Sequence, residues 1–362
     1  MNIIINHNKF TTAVRAVERM VAKNISLPIL NTILLKADKN TITLHATNLE
    51  IGIRYFIGAK IDANISIAIP ARTLSEFINS IRDEKITISI NKNILAIISE
   101  KYQTKILCIA PDEFPIIPTL RDATEVQIQT SAIKEAISAV IDSASLLETR
   151  PELNGIFVKI EKNKITFAAT DSFRLSERSA QITAGVDKEF IIPRNTALEV
   201  VRLFSENDTA AILAISENQF AVKTDDFELV SRLVDGRYPD YKKVIPERSI
   251  ATMTVDKDEF ERQIRTASIF SSSISDIQLK ISKTGILICA KNSDKGDIAI
   301  QQVGELKGDP FDLNLNYRYL LDGLKIIPTK LVRIDFAGVG SPVALRAPER
   351  EDLVYIIMPL RT

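Results

Sequence analysis

His7 and His45 are the only histidines in the 362-residue chain. Neither lies beside a serine or cysteine nucleophile motif or at the spacing of a metal-ligand pair, and a histidine alone in a turn or strand is ordinarily structural. Cys108 and Cys289 sit far apart in apolar stretches, which reads as two reduced core thiols rather than a disulfide framework or a metal site. Asp171 with Asp225 and Asp226 offers carboxylates for a cation, but their distribution along the chain argues against a cluster. Gly338-Val339-Gly340 lacks the third glycine and the following helix of a dinucleotide loop, so a hairpin turn is expected there, and no phosphate-binding loop occurs elsewhere. A hydrolase or transferase would need a convergent acid, base or nucleophile. None assembles from these residues, so no catalytic residue, metal or cofactor is expected and a binding role remains.

Composition narrows the elements that would present such a role. With 45% hydrophobic and 25% charged residues the chain reads as globular, and its length exceeds one ordinary core, so two or three domains are expected. Lysine plus arginine equals aspartate plus glutamate at 46 each, so bulk charge nominates neither nucleic acid nor membrane and any basic surface must arise by segregation. No basic segment followed by an apolar run opens the sequence, and no window approaches the roughly 20 apolar residues of a membrane helix. A cytoplasmic protein is the expectation.

Self-similarity is the most informative feature. A strand followed by a helix recurs at 67–81 (IAIPARTLSEFINSI), 190–204 (FIIPRNTALEVVRLF) and 312–327 (DLNLNYRYLLDGLKII), with Pro70, Pro193 and Asn316 at a constant interval of 123 residues. Upstream of each lies a strand, a polar turn and a strand, at 41–57, 164–180 and 285–303. Ala46-Thr47-Asn48, Ala169-Thr170-Asp171 and Ala290-Lys291-Asn292 mark the turns, where Asn and Asp bond their own backbone. Glu113-Phe114-Pro115 and Arg237-Tyr238-Pro239 close the first two units. Three domains follow, 1–122, 123–248 and 249–362, each α+β with antiparallel sheet and two helices.

The helices carry apolar residues on one stripe: Phe10, Val14, Val17 and Val21 in the first, then Ile133, Ile137 and Val140, then Phe260, Ile264 and Ala267. The second helix of each unit does the same with Leu74, Phe77, Ile78 and Ile81, with Val200, Val201 and Phe204, and with Leu320, Leu324 and Ile327. The opposite faces carry Arg15, Arg19 and Lys23, then Arg72, Arg202, Arg262, Arg265, Arg318 and Lys325, diluted by Glu135, Asp142 and Asp322. A solvated helix face usually holds such residues. Their repetition over six helices is what points to a shared basic surface. A repeat scaffold that binds peptides but not DNA is the alternative.

Several runs together resemble the bacterial DNA polymerase III beta subunit family. They are Leu27-Pro28-Ile29-Leu30, Pro70-Ala71-Arg72, Glu148-Thr149-Arg150-Pro151 leading into Leu153-Asn154-Gly155, Ala169-Thr170-Asp171 with Arg174-Leu175, the run 233–241 (LVDGRYPDY), and Met358-Pro359-Leu360-Arg361. The match spans the whole chain in order. The resemblance implies three repeats of the DNA-clamp fold, with antiparallel sheets outside and two helices per domain lining a ring. It implies a sliding clamp, a homodimer encircling double-stranded DNA, with the replicative polymerase alpha subunit, the clamp loader and other polymerases and repair proteins as partners.

By the same resemblance DNA-contacting positions fall on Asn24, Arg72, Leu147, Pro151 and Glu152. Asn24 stands where the family has arginine, and Pro151-Glu152 where it has aromatics, so Lys23 and Arg150 are read as stand-ins, with Arg15, Arg19, Arg202, Arg262 and Arg265 on the helix faces. The family's partner-peptide groove maps onto Leu153, Thr170, Ser172, Phe173, Arg174, Leu175, Pro239, Lys243, Val244, Asn316, Tyr319, Ile357, Met358, Pro359, Leu360 and Arg361. The dimer seam maps onto Thr104, Ile106 and Leu107 in one chain against Ile269 and Phe270 in the other, with these apolar side chains expected to be exposed in the monomer.

Overall fold

Strand segments such as Lys85–Asn91 and Gly155–Glu161 alternate inward and outward side chains, as a sheet with one covered face requires. The computed structural model describes residues 2–22, 26–61, 64–147, 149–204, 208–338 and 340–360. Its helices are α1 (His7–Glu18), α2 (Ala71–Ser80), α3 (Thr130–Val140), α4 (Arg194–Leu203), α5 (Lys257–Ser268) and α6 (Tyr317–Ile326). Local chemistry fixes where they start. Asn6 accepts from Lys9 N at 3.1 Å before α1, Asp256 from Glu259 N at 3.0 Å before α5, and Asn316 from Arg318 N at 2.9 Å before α6. Pro70 precedes α2, and α3 borrows its cap from Asp208, whose Oδ1 accepts from Ser131 N at 2.9 Å.

Among the described residues the strands form four antiparallel sheets. Two have four strands: one runs Asn2–Asn6, Lys85–Asn91, Ile94–Ile98, Gln103–Leu107, and the other Gly296–Val303, Gly285–Asn292, Asp276–Ser282, Phe311–Asn316. The two larger sheets each fuse a pair of repeats. In one, Ile51–Gly58 of the first repeat pairs with Phe227–Arg232 of the second, from Phe227 opposite Tyr55 to Ser231 opposite Ile51. In the other, Arg174–Gln181 of the second repeat pairs with Leu353–Ile357 of the third, from Arg174 opposite Ile357 to Arg178 opposite Leu353.

This fusion sets the compact units. Met1–Ser131 with Glu199–Leu233 form one, and Ala132–Leu198 with Val234–Thr362 form the other, because each sheet of the middle third belongs to a neighbour's sheet. In the first unit α1 packs on α2 through Phe10, Val14, Val17, Leu74 and Ile78, all fully buried. In the second, Phe260, Ile264 and Ala267 of α5 meet Leu320 and Leu324 of α6. Gly323 lets α6 lie close on the Leu353–Ile357 strand, since a Cβ there would stand 2.5 Å from the Tyr355 ring.

Three expectations need correcting. Helix α1 ends at Glu18, so Val21 lies beyond its stripe and is only half-buried. In α2 Phe77 is half-buried and Ser75 takes the inward place, its hydroxyl bonded to Glu18. Cys108 and Cys289 are free thiols but only half-buried, and burial pushes the Cys108 thiol up to about 11, which disfavours the reactive thiolate.

Candidate partner groove and helix faces

The groove begins in a hairpin turn. Between the strands Lys164–Thr170 and Arg174–Gln181, Asp171 Oδ1 accepts from both Phe173 N and Arg174 N at 2.9 Å, and Thr170 Oγ1 accepts from Ser172 N at 3.1 Å while donating to Arg174 O at 2.7 Å. These bonds hold Ser172 at φ +78°, a left-handed conformation, and present the exposed Phe173. The Tyr238 hydroxyl accepts from Thr170 N at 3.0 Å, tying the turn to the segment that carries Pro239. Burial, with Asp171 and Glu152 nearby, keeps this phenol above its ordinary pKa.

The opposite wall is the short helical turn Tyr241–Val244. Tyr241 is buried, and its hydroxyl donates to Glu177 Oε2 at 2.6 Å, with Lys242 Nζ on the same carboxylate oxygen at 2.5 Å. Burial and then Glu177 raise the Tyr241 pKa, so it remains a donor. Behind this wall Phe157 stacks on Tyr238 with ring centroids 5.1 Å apart, and Tyr241 meets the two rings edge-on at 5.8 and 6.1 Å. The third wall is the carboxyl-terminal segment. Met358 N donates to Phe173 O and Leu360 N to Asn314 O, each at 2.8 Å.

These walls enclose an open groove of about 240 Å³, lined by Leu153, Thr170, Ser172, Arg174, Leu175, Pro239, Val244 and Met358 from the expected set. That volume admits a few side chains of an extended peptide rather than a large cofactor. Arg150, Asp240, Tyr241 and Ile356 also line it. Arg150, expected on the DNA side, thus lies at this groove and pairs with Glu152 at 3.0 Å. Ile356 and Ile357 are both wholly buried, but they face opposite ways along the strand, and Ile356 is the one that backs the groove. Strand alternation would have exposed that choice only once the strand's facing was known.

Phe173, Lys243, Asn316, Tyr319, Pro359 and Leu360 stand outside this cavity, and Arg361 lies outside the described residues. Arg174 joins the cavity to α6. Its Nε donates to Asp171 Oδ2 at 3.0 Å, Nη1 to Asp322, and its Cζ lies 4.7 Å from the Tyr319 ring centre. Lys243 pairs with Asp240 at 3.0 Å. The groove's rim charges are therefore mutually satisfied and its floor is apolar, which suits a ligand recognised by shape and a few polar anchors.

The expected DNA-facing arginines are exposed, but most have acidic partners. Arg72 pairs with Glu76 at 2.7 Å, Arg265 with Glu261 at 2.6 Å, and Arg202 and Arg19 with Glu199 at 2.6 and 2.8 Å. Arg15 donates to Asn79 at 2.5 Å, and Arg262 is exposed. Lys23 and Asn24 lie outside the described residues. At the expected seam Leu107 and Ile269 are exposed at 75% and 58%, and Phe270 is half-buried. Ile106 is buried at 4%, contrary to its expected exposure, and Thr104 on the same face is half-buried, because both point from the strand into their own repeat's core. His7 is buried with Nε2 2.9 Å from Ile78 O, a packing role. Among the described residues no three His, Cys, Asp or Glu gather as metal ligands, and no helix is long and apolar enough to cross a membrane.

A threefold α+β scaffold with a peptide-sized apolar groove defines a binding protein. Comparison with known proteins agrees. Family models of the DNA polymerase III beta subunit match along the chain, the N-terminal domain at residues 1–118, the central domain at 127–240 and the C-terminal domain at 242–361. The beta sliding clamp of Bacillus subtilis is 28% identical over 377 residues and that of Staphylococcus aureus 26% over 376, each covering all of both chains. The crystal structure of the Bacillus subtilis DNA polymerase sliding clamp matches with a TM-score of 0.95 at 26% identity, covering 100% of this chain and 99% of that one. The chain belongs to the DNA polymerase III beta subunit family. Its function is that of a sliding clamp in DNA replication, a non-catalytic processivity factor of DNA polymerase III.

Proposed function

We propose that two copies of this chain close head to tail into a ring around duplex DNA, with domains 1–122, 123–248 and 249–362 of each copy arranged so that the six helices line the hole. The observation that carries this reading is the pattern of sheet edges. Two internal seams join the repeats through equivalent strands, and among the sheet edges of the described residues Gln103–Leu107 of the first repeat and Gly296–Val303 of the third are the unpaired equivalents of those seam strands. Each chain offers both halves of the missing seam, so two copies satisfy one another and the assembly closes. The exposed Leu107 and Ile269 gain cover in that arrangement.

Arg15, Arg19, Arg72, Arg202, Arg262 and Arg265 then meet phosphates without reading sequence, which permits sliding, while closure prevents escape. The groove around Leu175, Val244 and Met358 takes linear peptide segments of the replicative polymerase alpha subunit, of the clamp loader, and of other polymerases and repair proteins, in the cytoplasm. Sedimentation combined with retention on DNA tests the reading. The protein is expected to run as a dimer, to stay on nicked circles once loaded, and to slide from linear ends. A monomer at micromolar concentration, or equal loss from circular and linear DNA, overturns it.

A further inference from the structure

We infer the register of the seam between the two copies, and with it an ion pair between Lys105 of one copy and Asp297 of the other. The inference rests on the ring reading and deepens it. Equivalent residues are fixed by pairing inside each repeat. Ile53, Ser176 and Ile298 stand opposite Ala46, Ala169 and Ala290, the alanines of the three polar turns. On the other side Lys105, Val230 and Ile356 stand opposite Ala96, Ala221 and Ala344. Those alanines are in turn equivalent. They face Ser89, Ala214 and Asp335, each one residue after a position paired with Ile3, Val126 or Met253, three residues before the start-cap position of α1, α3 or α5.

Both internal seams obey one register on this scale. Val230 stands opposite Gly52, one residue before Ile53, and Ile356 stands opposite Leu175, one residue before Ser176. Carried to the free edges, the rule sets Lys105 opposite Asp297, Thr104 opposite Ile298 and Ile106 opposite Gly296. A slip by one residue would exchange the faces of every side chain. The inferred register keeps the faces matched: Ile106, buried, and Thr104, half-buried, share a face with Ile298, which packs on the third repeat's core. Lys105 and Asp297 are both exposed on the opposite face. The first internal seam already carries a comparable pair, Arg54 with Glu228 at 2.5 Å, directly opposite in register. Opposite charges facing across antiparallel strands attract and like charges repel, and the closed ring contains the pair twice.

The test is the dimer dissociation constant of the full chain by sedimentation equilibrium at low and high salt. Lys105→Glu and Asp297→Lys are each expected to weaken the dimer by about tenfold, since each places like charges at both seams, and the combined variant to return to within about threefold of the parent. A second combination, Lys101→Glu with Asp297→Lys, is expected to give no such recovery, because Lys101 lies four residues from Lys105. Equal recovery from both combinations, or none from the first, overturns the register while a dimeric parent leaves the ring reading standing. A parent that is monomeric removes the ring reading itself.

Discussion

Val244 shows how much of the groove turns on single side chains. It is 40% exposed at the lip of the cavity, carried by a turn that Tyr241, Glu177 and Lys242 hold from behind. Val244→Glu should fold normally, yet its carboxylate would have to lose water whenever an apolar peptide side chain enters. Peptide affinity, read by fluorescence anisotropy with a polymerase-derived segment, is expected to fall at least about tenfold. An unchanged affinity would place the peptide elsewhere. His45 is a different case, remote from any site. Burial first, then Lys36 and Arg54, hold its pKa down at about 3 against an ordinary 6.5. The unfolded chain therefore takes up this proton before the folded one does. The stability from keeping the ring neutral is complete above pH 6.5 and is lost as pH falls from there toward 3. Relative to the parent, His45→Gln should flatten the stability profile across that window by about 2 to 4 kcal/mol. Urea unfolding at a series of pH values measures it, and parallel profiles for the two proteins would contradict the assignment.

At the scale of elements, the helices show why a neutral protein can carry a modest positive surface. Arg72 and Arg265 each have a glutamate one turn away, Glu76 and Glu261. Exposed pairs of this kind contribute little to stability, but a phosphate must compete with the carboxylate for the guanidinium. Replacing Glu76 and Glu261 together by glutamine should leave the fold intact and strengthen DNA retention, adding about one unit of salt slope for each arginine freed. Unaltered retention across a salt titration would mean that these helix faces do not meet DNA. The apolar stripes of these helices are legible in the sequence because a period of 3.6 residues is a local property. The acidic partners Glu76 and Glu261 sit at an equally local spacing of one turn, yet the expectation for these faces names only Glu135, Asp142 and Asp322 as diluting charges. What local pattern left open is the pairing of Arg19 with Glu199, which are joined only by folding.

At the scale of the whole molecule, the proposed ring depends on a seam that no single copy completes. Ile269, exposed, and Phe270, half-buried, follow directly on α5, and in the proposed ring the second copy would cover them. Changing both to alanine should shift the protein to monomers, since apolar residues at the centre of an interface carry much of its energy. A sedimentation coefficient equal to the parent's would put the seam elsewhere. The place of the groove is implied only by the family resemblance, whereas repeat number and the strand and helix content of each repeat follow from the amino-acid order alone. They rest on periodicity, turn chemistry and recurrence at 123 residues, which are properties of neighbours in the chain. Tertiary structure alone decided that the middle repeat divides its two sheets between its neighbours, that Ile356 rather than Ile357 lines the groove, and that Arg150 and Tyr241 stand beside Leu175. The physical reason is that strand pairing joins residues far apart in sequence, and which face of a strand is covered depends on the partner that covers it.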